Sequence, residues 1–158
     1  MPRVFVCSLF LALAGLLSGA DDQFAGTWKL NVAKSKPAPS PPGKALKDET
    51  MVVQETSSTA AVTLSGNRED GSAVLTKYNT PTGGGPVTYT ENGPPAGVSV
   101  VTKRINDRTV DFITTRDGKE VSTNHVTVSP DGKTMRLSVK GMDAQGKPVQ
   151  SVLVFERQ

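Results

Sequence analysis

His125 is the only histidine of the 158-residue chain, so any imidazole acid–base chemistry must run through it. A working general base is held by a carboxylate or hydroxyl within hydrogen-bond reach. Thr123 and Thr127 share its face of a strand and could serve, yet the same hydroxyls would equally satisfy an inert buried ring. One histidine, with the single cysteine at position 7, makes a poor ligand set for a transition metal. Most acidic residues, among them Asp70, Asp107, Asp117, Asp131 and Asp143, fall in turns, where aspartate bonds its own backbone. Asp111 is the exception, mid-strand and facing opposite to Phe112. Spacing suggests no carboxylate pair, Ser-His-Asp set or calcium loop. Gly83-Gly84-Gly85 would cradle a phosphate only by opening a helix, and Pro86 to Thr90 reads as a strand, so the run is a rim loop. The expectation is no catalytic residue, no metal and no cofactor.

The elements that must position these residues are almost wholly β. Candidate strands are Glu49–Thr56, Ala60–Asn67, Ser72–Tyr78, Val87–Glu91, Val98–Asn106, Thr109–Arg116, Glu120–Val128, Met135–Lys140 and Val149–Glu156. Turn signals separate them, including Asp70-Gly71, Asn92-Gly93, Asp117-Gly118 and Pro130-Asp131-Gly132. With a strand at Gly26 to Asn31 this is a meander that hides its edges by closing. The fold class is therefore all-β, a single antiparallel up-and-down barrel of about 8–10 strands. Between the first two strands, the segment 36–43 holds four prolines and reads as a stiff connector, a lid or a contact site.

Two turns predict which side chains share a face. A two-residue Asp117-Gly118 loop pairs Arg116 with Lys119, hence Phe112 with Thr123 and Val110 with His125. A three-residue Pro130-Asp131-Gly132 loop pairs Ser129 with Lys133, hence Thr127 with Met135 and His125 with Leu137. Both place Val110, Phe112, Val121, His125, Met135, Leu137 and Val139 inward. The candidate lumen lining is Val110, Phe112, His125 and Leu137, with Tyr78 and Tyr89 as polar handles at the mouth.

Gly26-Thr27-Trp28 opens the first strand, and Phe155 and Arg157 end the last. If those strands pair antiparallel, Phe155 and Arg157 come beside Trp28, and the guanidinium can cover the indole. Gly26, Trp28, Phe155 and Arg157 form the expected barrel closure.

Residues 1–20 read as an export signal. Arg3 gives a positive start, Val4 to Leu17 an apolar run, and Ser18-Gly19-Ala20 a small-residue cleavage site, so the cut is expected after Ala20. The domain then spans 21–158, in the periplasm or outside the cell, without membrane insertion after cleavage. Cys7 lies in the signal, so no disulfide staples the domain and its core must hold it alone. A net charge of +3, dispersed along the chain, gives no nucleic-acid footprint. A monomer is expected.

The segments Phe24-Ala25-Gly26-Thr27-Trp28-Lys29-Leu30-Asn31, Ala33-Lys34-Ser35-Lys36, Lys103-Arg104-Ile105, Ser129-Pro130-Asp131-Gly132-Lys133-Thr134 and Asp143-Ala144-Gln145-Gly146-Lys147-Pro148-Val149 resemble the secreted lipocalin-like proteins of bacteria. The resemblance spans the domain and implies a calycin-type barrel whose interior suits a small apolar ligand. It implies no reaction. Three functions follow in order: a carrier of a small hydrophobic or amphipathic molecule, an envelope or extracellular interaction module with a filled core, and an enzyme using His125.

Overall fold

The computed structural model describes residues 23–142 and 146–158. Residues 1–20, read as an export signal, and residues 143–145 lie outside the described residues. The chain forms β1 (Gly26–Leu30), a 3-10 turn (Val32–Lys34), β2 (Leu46–Glu55), β3 (Thr59–Arg68), β4 (Ala73–Pro81), β5 (Gly84–Pro86) and β6 (Thr88–Glu91). It continues through β7 (Val98–Asn106), β8 (Thr109–Arg116), β9 (Lys119–Val128), β10 (Thr134–Met142) and β11 (Pro148–Arg157). All pairings are antiparallel, in the order β5-β7-β8-β9-β10-β11-β1-β2-β3-β4-β6.

The two outer strands of that order, β5 and β6, are one continuous segment interrupted at Val87. Its first half pairs with β7 and its second with β4, so the sheet curls into a nearly closed up-and-down barrel. The count exceeds the expected 8–10 because this segment is read as two short strands. At the seam the Thr80 and Thr102 hydroxyls meet at 2.7 Å, and Thr102 also bonds the Gly85 backbone. The glycine run, expected as a rim loop, is therefore partly strand: Gly84 and Gly85 let the chain leave β4 and cross to β7.

β1 joins β11 through Trp28 opposite Arg157 and Leu30 opposite Phe155. Trp28, Phe155 and Met135 are the fully buried large side chains at this end. The indole Nε1 donates to the Phe24 carbonyl at 2.8 Å, and the Arg157 guanidinium lies 4.1 Å from the ring centroid. Arg157 also donates from Nε to Gly132 O (2.6 Å), from Nη1 to Ala25 O (2.5 Å) and from Nη2 to Gln23 O (2.6 Å). One planar fork thus ties the chain's entrance, the turn before β10 and the closing strand pair. Gly26, at φ +129°, leaves room for it: a Cβ there would lie 2.6 Å from Arg157 Nη1. The proline-rich connector starts as a bridge to β11, with Lys36 N and O both bonded to Val152, and its far end is held by Lys44 on Asp70.

The predicted facing of β9 is wrong by one residue. The Asp117-Gly118 turn forms, with both residues at positive φ and Arg116 opposite Lys119. A bulge then leaves Val121 unpaired between Thr115↔Glu120 and Thr114↔Ser122, so Asp111 rather than Val110 meets His125. At the other end Ser129 N bonds Thr134 O, making the loop four residues long, and Met135 pairs with Val128. Both errors shift β9 in the same sense, so the two turn-based registers agreed while both missed. Asn124, Val126 and Val128 face inward; Thr123, His125 and Thr127 face outward.

Arg157→Lys keeps the charge but not the three-pronged fork. It is expected to lower unfolding free energy by about 2–4 kcal/mol in urea titration. A loss below about 0.5 kcal/mol would contradict the closure role.

Candidate ligand cavity in the barrel

The inward faces enclose a cavity of about 240 Å³. That lies just under the roughly 300–1,000 Å³ of ordinary small-molecule sites. Phe24, Met135 and Phe155 form its floor, beside the Trp28–Arg157 closure. Met51, Val62, Leu64, Val126 and Leu137 supply apolar wall, each placed inward by the period-two alternation of its strand. Arg104 stands at the Phe24 end, its guanidinium 5.1 Å from that ring's centroid and its Nε donating to Asn106 O.

Of the lining residues expected from sequence, Val110, Phe112, Leu137, Tyr78 and Tyr89 all stand in this wall. Tyr78 and Tyr89 are cross-strand partners with ring centroids 5.6 Å apart, and Tyr78 meets Phe112 edge-on at 6.1 Å. The three rings thus reach from β4 and β6 to β8 within the barrel. Burial raises the pKa of both tyrosines, so their phenols stay neutral and available as donors.

His125 is not in the wall. Its side chain is on the outer surface, 51% exposed, with Nδ1 2.5 Å from Asp111 Oδ1. Ser138 is its neighbour on β10, so a carboxylate, an imidazole and a hydroxyl lie on three adjacent strands. None of the three lines the cavity, and the Ser138 hydroxyl accepts from Arg136 Nε at 3.4 Å. The bulge at Val121 moved this histidine from the lumen to solvent.

Polar lining residues were missed, among them Glu55, Thr80, Thr102 and Arg104, and two bear on what the cavity could hold. Glu49 lies on the face of Met51 and Val53, is only 8% exposed, and accepts no hydrogen bond from any described residue. It pairs across to Gly66, where β2 and β3 come so close that a Cβ would meet the Asp48 carbonyl at 2.1 Å. Burial pushes its carboxyl pKa up to about 7, with Arg68 opposing part of the rise. Asn124, opposite Phe112, has a buried Oδ1 with no hydrogen-bond partner. The signal for Glu49 was present in the sequence: an acid in phase with Met51 and Val53 on one face of a strand. For Asn124 it was hidden by the register error.

No family model matches the chain, and no curated protein does. Among solved structures the chain is similar to one described as the structure of EF1p2_mFAP2b bound to DFHBI, with 12% identity and a TM-score of 0.46. The match covers 86% of this chain and 94% of that one. A likeness this slight bears on neither the ligand nor the activity of this chain.

Glu49 carries a pH signature. Its pKa is raised on folding, so the folded state binds the proton more tightly and the cost of burying the charge appears as pH rises from about 4.5 to about 7. Stability of the empty barrel should fall across that window by up to about 3 kcal/mol, and Glu49→Gln should flatten the slope. Asp70, Asp131 and Glu156, whose pKa values are lowered, act in the opposite sense at more acid pH. Denaturant unfolding at pH 4.5, 6 and 8 reads the effect; equal slopes in the wild type and the variant would contradict it.

Proposed function

We propose that this chain is an exported, lipocalin-like binding protein that encloses a small apolar or amphipathic molecule in its barrel. The observation that carries the reading is the interior itself. A strand meander with buried inward faces retains a cavity of about 240 Å³, mostly apolar with a few converging polar groups. That is the chemistry of a small-molecule site. An interaction module with a filled core would need these inward side chains to close the space. Export rests on the sequence of residues 1–20, with cleavage after Ala20 releasing the domain.

Leu137 is the residue on which to test it, because it stands mid-wall between Val126 on β9 and Leu153 on β11. Leu137→Trp would fill the cavity rather than open the barrel. Calorimetric titration with 4-phenylbutan-1-ol, a neutral apolar probe of suitable size, should show one site per chain in the wild type. The variant should lose at least about tenfold in affinity while keeping its β circular-dichroism spectrum. Absence of binding to the wild type, or equal binding to the folded variant, would overturn the reading.

A further inference from the structure

We infer that the molecule this barrel holds carries a protonated amine, with Glu49 as its counter-ion and the Tyr78, Tyr89 and Phe112 rings about its cationic end. The inference rests on the reading of the barrel as a binding protein and names the class of ligand.

Three observations support it. First, Glu49 is more than nine-tenths buried as a residue, and its carboxyl lines the cavity with no donor supplied by any described residue. A carboxylate taken out of water is costly unless a cation or donors meet it. Second, Asn124 Oδ1, which lines the same cavity from β9, is also a buried acceptor without a donor. An ammonium group offers three donors and no acceptor, so it can meet acceptors that the lining's own donors, among them the Tyr78 and Tyr89 phenols and the Arg104 guanidinium, leave unmet. Third, Tyr78 lies within electrostatic reach of Glu49 and is clustered with Tyr89 and Phe112. Aromatic faces near a buried acid are a favourable surround for a cation in low dielectric.

The groups facing Glu49 leave that position open. From β3, Arg68 acts on it only at a distance, and its Nη1 donates to the Lys44 carbonyl. From β4 and β6 come the neutral phenols of Tyr78 and Tyr89. From β1 the inward residues are Trp28 and Leu30, neither of them titratable. The apolar remainder of the cavity then takes the hydrocarbon part of the ligand.

The test compares 4-phenylbutylamine, 4-phenylbutan-1-ol and 4-phenylbutanoate by calorimetry on the full domain, in the wild type and in Glu49→Gln. At pH 8 the amine should bind at least about tenfold more tightly than the alcohol, and the carboxylate more weakly than either. Glu49→Gln should erase the amine's advantage over the alcohol. In the wild type alone, the advantage should shrink from pH 8 to pH 5.5 as Glu49 takes up a proton, an arm that needs no variant to fold. Alcohol bound as tightly as amine at pH 8, or an amine preference that survives Glu49→Gln, overturns the amine inference and leaves the binding-protein reading standing. Failure of both alcohol and amine to bind overturns the two together.

Discussion

The interior of this protein depends on the joint between its first and last strands. Pairings between strands near one another in the chain can build a curved sheet, but only β1 against β11 brings the two ends of the chain together. β1 is five residues long and offers few ladder bonds of its own. The Trp28–Arg157 contact compensates: a fully buried indole is covered by a guanidinium whose three nitrogens each donate to a backbone carbonyl. Hydrogen bonds from a charged group are about twice as strong as neutral ones, and a planar fork loses little entropy in making them. That joint also sets the cavity floor, because Phe24 and Phe155 are positioned by the same contacts.

Closure without large side chains leaves space. The whole sequence has five phenylalanines, two tyrosines and one tryptophan, and two of the phenylalanines fall within residues 1–20. Valine, leucine and threonine dominate the inward positions, so the floor is packed tightly and the middle is not. The polar groups in that middle are spread across strands far apart in sequence, Glu49 on β2, Tyr78 on β4, Tyr89 on β6 and Asn124 on β9. Only the barrel brings them to one space. A protein that kept an unpartnered carboxyl in its interior for stability alone would be better served by leucine at that position.

Much of the architecture was legible in the sequence because turn chemistry and period-two alternation are local. The Asp117-Gly118 and Pro130-Asp131-Gly132 turns sit where expected, and the closing contact of Trp28 with Arg157 followed from antiparallel closure. The facing of β9 was not legible. A bulge adds one residue to a strand without any compositional mark, and the single extra residue at Val121 exchanged His125 for Val126. A loop of four rather than three residues concealed the slip by repeating it at the other end. Glu49 was legible in principle, since its phase with Met51 and Val53 marks it as inward. It was passed over because an isolated acid in a strand reads as surface. Asn124 required the register itself, which depends on non-local pairing.

The most direct test of a barrel that holds a small molecule is the mass of the protein as its own host delivers it. Native mass spectrometry of the gently purified protein should show an excess over the polypeptide mass on the order of 100–300 daltons, released on denaturation and identifiable as a discrete compound. A mass equal to that of the bare polypeptide, unchanged when the protein is re-exposed to an apolar extract of its host, would contradict the account.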